Sequence, residues 1–114
     1  MKYALLIYED ESLYGPEKSG ARLQEIVAKH MAFSQGLGAK RIGGAGLKAT
    51  PTATTVHTRS GKKTVHDGPF AEAREQLGGI YLIDVASLDE AIEIAKRIPL
   101  AQDGAIEIRP LLGQ

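Results

Sequence analysis

The 114-residue sequence has neither cysteine nor tryptophan. The lack of cysteine excludes disulfides, thiolate nucleophiles and cysteine-ligated metal sites, and it is typical of proteins from a reducing compartment. The three histidines have no short-range partners, so we expect no metal site, and no motif supports a bound cofactor. These observations predict a cytoplasmic protein.

Long hydrophobic runs and an excess of one charge sign are also missing. Lys and Arg total 14 and Asp and Glu total 14, so the formal net charge is zero. Because no segment concentrates positive charge, we expect no binding to nucleic acid. The apolar run after Lys2 is too short for a membrane span or a secretory leader, so we expect no membrane association. A chain of this length predicts one domain over residues 1–114.

Hydrophobic patterning predicts the order of the elements. Apolar residues on both faces of residues 3–8 predict a strand, and Gly15-Pro16 predicts a helix start, with a helix over about Glu17 to Leu37. The elements expected after it are a glycine-rich strand over 41–47, a hairpin of 52–59 and 62–65 around Ser60-Gly61, a strand over 77–86, a helix from the Ser87-to-Glu90 capping box to before Pro99, and a strand over 105–110.

This order is the split βαβ pattern of a ferredoxin-like βαββαβ fold of the α+β class, with an inserted β-hairpin. Two helices of this size cover one face of a sheet, yet residues 3–8 and 80–86 are apolar on both faces. Monomers rarely expose an apolar sheet face. We therefore predict a homodimer that packs open sheet face against open sheet face about a two-fold axis.

The segment between the hairpin and the next strand contains a polar turn. Asp67 is typical of a residue that starts a turn by accepting backbone N–H groups, and Pro69 moves Gly68 out of the α region. The pair Gly78-Gly79 predicts a β-bulge or a close approach to the backbone.

Two side chains are candidates for proton transfer. His30 lies in the middle of the apolar stripe of the first helix, where it is either a neutral core imidazole or a group that lines a cleft. In the second case a carboxylate would fix its tautomer. Asp67 is either the cap of its turn or that orienting carboxylate, and the sequence leaves both alternatives open. The predicted catalytic pair is His30 with Asp67.

Four further residues are candidates for substrate binding. Phe70 is interpreted as a plug that anchors its loop to the core. Arg74 and Glu75 are either charges of an exposed turn or a polar rim for a ligand, and residues 71–76 could form one or two helical turns. Tyr81 packs in the core with its hydroxyl satisfied, or it lines a pocket.

The motif Asp-Gly-Pro-Phe-Ala-Glu at 67–72, followed by Glu-Gln-Leu-Gly-Gly at 75–79, resembles the signature of the DGPF proteins within the YCII-related family. Residues 1–8 and 104–111 also resemble that group. The resemblance implies a bacterial protein with the dimeric α+β barrel that is also seen in small isomerases. Members are often encoded beside alternative sigma factors, and most have no assigned reaction.

In the wider family, a first-helix histidine and an aspartate in the dimer cleft are a proposed acid–base pair. His30 matches that histidine by position, whereas the place of the aspartate reads Ile98-Pro99-Leu100. Asp67 of the motif loop would then have to supply the carboxylate instead. Our first hypothesis is an enzyme or enzyme-like binder of isomerase or lyase type that acts on a small organic acid or aromatic ligand through His30 and Asp67. The alternative is a non-catalytic binding or regulatory protein linked to a sigma-factor transcription system.

Overall fold

In the computed structural model, which describes residues 1–15 and 18–114, the described residues form six strands and two α-helices. The expected helix start at Pro16 and Glu17 lies outside the described residues. The elements in chain order are β1 (Lys2–Glu9), α1 (Ala21–Leu37), β2 (Arg41–Gly46), β3 (Thr54–Arg59), β4 (Lys62–Asp67), β5 (Gln76–Asp84), α2 (Leu88–Lys96) and β6 (Gly104–Pro110).

Four of these strands form one antiparallel sheet in the order β2-β5-β1-β6, while β3 and β4 form a separate two-stranded sheet. With the β3–β4 hairpin treated as an insertion, this order is compatible with the predicted ferredoxin-like fold, and the α+β class is confirmed. β6 lies at the sheet edge, as its one polar face indicated.

The hydrophobic core lies between one face of the four-stranded sheet and the two helices. Alternation along β1 sends Tyr3, Leu5 and Ile7 to this face, and the strand register places Leu5 beside Tyr81 and Ile108. The core also contains Leu37 of α1, Ile83 and Val85 of the β5 region, and Ala91, Ile94 and Ile98 of the α2 region.

The opposite face of the sheet is also apolar. It carries Leu6, Ile80 and Leu82, of which Leu6 and Ile80 are cross-strand partners. These three side chains remain partly exposed, whereas Leu5 and Ile83 on the helix-covered face are fully buried. The sequence pattern therefore identified two apolar faces, and the helices cover one of them.

Gly78 forms a β-bulge in β5. The pairing of Ile7 with Gly79 is followed by that of Tyr8 with Leu77, so Gly78 has no partner on β1. The prediction of a bulge at this glycine pair is confirmed.

The helical turns expected over 71–76 are absent, because residues 68–75 form bends and β5 already begins at Gln76. The backbone of Gln76 must be extended to pair with Glu9, and its side-chain Nε2 donates to the Ala73 carbonyl at 2.7 Å. Pairing with β1 thus prevails over a weak local helix preference.

The β3–β4 hairpin projects from the body of the protein. The radius of gyration is 15.6 Å, compared with about 13 Å for a compact domain of this length. Its turn lies at Ser60-Gly61 as predicted, with positive φ at both residues. The cross-strand partners Val56 and Val65 are 60% and 68% exposed, so the hairpin adds nothing to the core.

Candidate functional site

A cavity of about 810 Å³ lies between α1 and the β2–β5 side of the sheet. This volume falls in the range of small-molecule sites, which is about 300–1,000 Å³. Apolar side chains of α1 form one wall, strand residues form the other, and the end of β1 closes one side. The lining includes Glu9, Tyr14, Lys18, Leu23, Val27, His30, Met31, Arg41, Lys48 and Tyr81.

A histidine–tyrosine pair lies in this cavity. Nδ1 of His30 is 2.8 Å from the Tyr81 hydroxyl oxygen, and the two rings are stacked with their centroids 5.9 Å apart. Phe33 packs edge-on against Tyr81 at 5.5 Å and so limits the freedom of its ring. Tyr81 therefore combines both of its predicted roles, because its ring packs in the core and its hydroxyl lines the cavity.

The environment of His30 favours its neutral imidazole over the charged form. Burial lowers the pKa of its imidazole, and the negative charge of Glu9 and a hydrogen bond with the Pro99 backbone oppose this shift. Proline has no N–H, so Pro99 accepts through its carbonyl. A ring nitrogen that donates to Pro99 leaves Nδ1 to accept from the Tyr81 hydroxyl. A neutral imidazole in this arrangement can take up a proton.

Glu9 is the carboxylate that the described residues bring to this cavity. Its side chain is buried, and its two oxygens accept hydrogen bonds from the Tyr14 hydroxyl at 2.9 and 2.8 Å. The Ala101 N–H donates to the same carboxylate at 3.2 Å. These contacts hold Glu9 in place, and its charge acts on His30 through space rather than through a hydrogen bond.

Both phenols at the cavity stay protonated at neutral pH. Burial raises the pKa of Tyr14, and its hydrogen bond to Glu9 raises it further. Burial also raises the pKa of Tyr81, against the opposing charge of Arg41. Each hydroxyl thus remains a hydrogen-bond donor, Tyr14 toward Glu9 and Tyr81 toward His30.

Arg41 enters the cavity wall from the start of β2. Its guanidinium carbon lies 5.9 Å from the centroid of the Tyr81 ring. Its Nη2 donates to the Gly44 carbonyl at 3.3 Å. Its Nε is buried and has no hydrogen-bond acceptor among the described residues.

Asp67 lies outside this cavity. It is the last residue of β4, pairs with Thr54 across the hairpin and is exposed. Within the described ranges its carboxylate accepts no hydrogen bond, and it is not among the residues that line the cavity. A single chain therefore does not bring Asp67 to His30, and in the described part of the chain Glu9 is the carboxylate that shares the cavity with His30.

The turn after Asp67 is held by other groups. The Gly68 N–H donates to the Ala53 carbonyl at 2.8 Å, and the Thr55 hydroxyl donates to the Gly68 carbonyl at 2.7 Å. The interpretation of Asp67 as the cap of this turn is therefore wrong, because the opposite hairpin strand supplies the donors and acceptors.

Phe70 is 75% exposed, so its interpretation as a plug in the core is wrong. The loop follows a hairpin that projects from the body, and the Phe70 ring lies beside that of His57 in this hairpin, with the ring centroids 5.5 Å apart. Arg74 is exposed, with its Nε 3.9 Å from an Asp10 carboxylate oxygen, and Glu75 is also exposed. The role of Phe70, Arg74 and Glu75 in substrate binding stays a prediction.

Sequence reasoning missed Glu9 and Arg41. Glu9 carried a detectable signal, because it continues the alternate positions of Tyr3, Leu5 and Ile7 and so points to the helix-covered face. Its acidic neighbours made it resemble a solvated loop. Arg41 carried no such signal, since an arginine at the start of a glycine-rich strand is usually exposed.

Over the part of the chain that the structure describes, no three histidine, aspartate or glutamate side chains come together in a group that could hold a metal ion. Nor is any helix in that part long and apolar enough to cross a membrane. The ionisable groups that the described residues present to the cavity are an imidazole, two phenols, a carboxylate, a guanidinium and two lysine ammonium groups.

Comparison with known proteins gives two matches that span this architecture. The family model of the YCII-related domain matches residues 1–113. An uncharacterized protein of Rhizobium meliloti (strain 1021) is 39% identical over 117 residues, a stretch that covers 97% of this chain and 92% of that protein. Both matches extend from β1 to β6 and include the elements that form the cavity.

Proposed function

The chain belongs to the YCII-related family, and with that premise we propose that it binds a small organic molecule and transfers a proton on it. The observation that carries this proposal is the 2.8 Å hydrogen bond between His30 Nδ1 and the Tyr81 hydroxyl inside the cavity. A neutral imidazole bonded to a phenol can pass a proton in either direction. The reaction class is an isomerisation or an elimination.

Each group has a distinct role in this proposal. The Tyr81 oxygen takes a proton from a substrate C–H bond while the hydroxyl proton moves to Nδ1 of His30, so one C–H bond breaks and one N–H bond forms. The charge of Glu9 stabilises the imidazolium. Return of the proton to a different carbon completes an isomerisation, and departure of a leaving group completes an elimination.

We also propose a cytoplasmic homodimer built as a dimeric α+β barrel. Its support is the apolar sheet face of Leu6, Ile80 and Leu82, which the helices leave partly exposed. A second copy packed on this face would cover it.

A non-catalytic binding or regulatory protein, linked to a sigma-factor transcription system, is the second candidate. The observation that favours it is Ile98, which stands where the wider family carries its aspartate and is 5% exposed in the core. Under this alternative the cavity holds its ligand without changing it.

Proton transfer is tested by deuterium exchange. Small carbonyl compounds that stabilise the protein in a thermal-shift screen are incubated with it in D₂O, and NMR follows deuterium uptake at the carbon next to the carbonyl. We expect deuterium uptake with wild type. In Tyr81→Phe and in His30→Gln the rate of uptake should fall by a factor of about 100 or more. The control Lys29→Gln, one residue from His30 on the exposed side of α1, keeps the wild-type rate. Uptake at the buffer rate for every bound compound would contradict proton transfer and leave the binding alternative.

A further inference from the structure

Arg41 brings an unpaired positive charge into the wall of the cavity. The one hydrogen bond of its guanidinium among the described residues is the contact from Nη2 to the Gly44 carbonyl, at 3.3 Å. No ion pair of the described chain includes Arg41, and its Nε is buried without an acceptor. A guanidinium has five N–H donors in a planar fork, so most of its binding capacity is unused.

An unpaired cation in a half-buried position is unusual, because a buried charge generally requires an opposite charge or several hydrogen bonds. Two exposed cations of the described chain have such partners. Lys40 lies 3.2 Å from Glu90, and Arg109 lies 3.0 Å from Glu107. Arg41 is less exposed than either and has no carboxylate partner among the described residues, and we infer that a ligand from outside the chain supplies one.

The remaining charges of the cavity do not supply that partner. Lys18 and Lys48 add two more positive charges to the lining, and Glu9 is its one negative charge among the described residues. The Glu9 carboxylate is already occupied by the Tyr14 hydroxyl and the Ala101 N–H. The cavity as a whole therefore favours an anion.

The wall opposite Arg41 is apolar. Leu23, Val27 and Met31 of α1 line it, and Val27 and Met31 are 46% and 61% exposed. Water covers these side chains unless a ligand does, and their transfer from water to an apolar ligand is favourable.

We propose that the cavity selects a small organic acid, with its carboxylate on Arg41 and its apolar body against Val27 and Met31. Arg41 lies beside the ring of Tyr81, so a carboxylate held there places the adjoining carbon near the Tyr81 hydroxyl. This inference rests on the proposed function in that it uses the same cavity as the ligand site, but it does not require proton transfer.

The test compares matched pairs of acids and amides. Phenylacetate, benzoate and hexanoate are titrated into the protein by NMR, each beside its neutral amide. We expect at least one acid to bind about tenfold more tightly than its amide, because Arg–carboxylate hydrogen bonds are charge-assisted. Arg41→Gln should weaken that acid by about tenfold or more and leave the amide unchanged.

A matched control separates a local effect from a general loss of charge. Lys40→Gln removes the neighbouring cation, which pairs with Glu90 outside the cavity, and should keep wild-type affinity for the acid. Arg41→Lys keeps the charge but loses the planar fork, so an intermediate affinity is expected and remains measurable if Arg41→Gln does not fold. Equal binding of every acid and its amide, no binding of any acid, or unchanged acid binding in both Arg41 variants would overturn the inference.

Failure of this inference is distinguishable from failure of proton transfer. His30→Gln should abolish deuterium exchange and keep the preference for acid over amide. Acid binding without exchange in wild type would refute proton transfer alone. Deuterium exchange in wild type, together with acid binding that is unchanged in both Arg41 variants, would refute the role of Arg41 alone.

Discussion

The burial of the His30 ring affects both the stability of the fold and the chemistry of the cavity, because it lowers the pKa of the imidazole. Its ring is half-buried on α1, with Tyr81 at one nitrogen and the Pro99 carbonyl as a second partner. Burial makes the charged ring unfavourable, and this effect outweighs the charge of Glu9 and the Pro99 hydrogen bond, which both favour the charged ring. The folded state therefore holds the His30 proton less tightly than the unfolded chain does.

This difference predicts a pH dependence of stability. The pKa of His30 lies below its ordinary value of 6.5, so its contribution to the free energy of unfolding is present above that pH and is lost as the pH falls through the lowered pKa. We expect the free energy of unfolding, measured by urea denaturation, to fall on acidification less in His30→Gln than in wild type. Lys29→Gln is the control and keeps the wild-type dependence. Identical dependence in His30→Gln and wild type would refute the prediction.

Glu9 gives a second prediction, which concerns the pKa of His30 itself. Its negative charge raises the pKa of His30 against the effect of burial. Glu9→Gln removes this charge, so the NMR titration of the His30 ring should move to still lower pH. Tyr14→Phe keeps the charge and removes only the hydroxyl that binds Glu9, so it should not reproduce that shift. A titration that is unchanged in Glu9→Gln would exclude the electrostatic role.

At the scale of elements, the start of α2 agrees closely with its local sequence. The Ser87 hydroxyl oxygen accepts from the Glu90 N–H at 3.2 Å, and the Glu90 carboxylate accepts from the Ala86 N–H at 3.1 Å. The reciprocal pair is the predicted capping box, with the glutamate reaching one residue further back than the N-cap. These bonds pair two N–H groups at the helix start.

The strand β2 depends on close approach of two backbones. At Gly44 the φ angle is +141°, and an added Cβ atom would lie 2.5 Å from the Ile80 carbonyl oxygen of β5. Neither backbone can move away without breaking the β2–β5 pairing, which also forms one wall of the cavity. This position therefore requires glycine.

We predict that Gly44→Ala lowers the free energy of unfolding by about 1–3 kcal/mol, because the new methyl group overpacks the strand pair. Gly46→Ala in the same strand is the matched control. Nothing lies within 4 Å of a Cβ at Gly46, so a change within about 0.5 kcal/mol is expected. Urea denaturation measures both variants, and equal stabilities would refute the steric argument.

For the whole molecule, the open sheet face makes the proposed homodimer testable. Leu82 lies on this face beside Ala4 of β1 and Gly43 of β2. A glutamate there stays hydrated in a monomer but would bury an unpaired carboxylate in a dimer, which is costly. Leu82→Glu is therefore expected to dissociate the dimer while it retains the fold.

Light scattering after size exclusion measures this outcome. Wild type should have about twice the chain mass of 12.2 kDa, and Leu82→Glu should approach the chain mass itself. Leu112→Glu changes a fully exposed leucine near the C-terminus and is the control that stays dimeric. A monomeric wild type would refute the dimer.

Local patterns in the sequence determined much of this protein. Alternation along 3–8 identified β1, the capping box identified the start of α2, and paired glycines identified the bulge at Gly78. His30 and Tyr81 were also identified as candidate site residues. Each of these predictions depends on interactions within a few residues, or on which face of an element a side chain occupies.

Only the tertiary structure decided which side chains meet. It joined His30 to Tyr81 across 51 positions and Glu9 to Ala101 across 92, and it left Asp67 on a projecting hairpin. Periodicity assigns a residue to a face, whereas the neighbours across that face depend on strand register and helix packing. The sequence therefore determined the elements and their apolar faces, and the packing of distant segments decided the chemistry of the cavity.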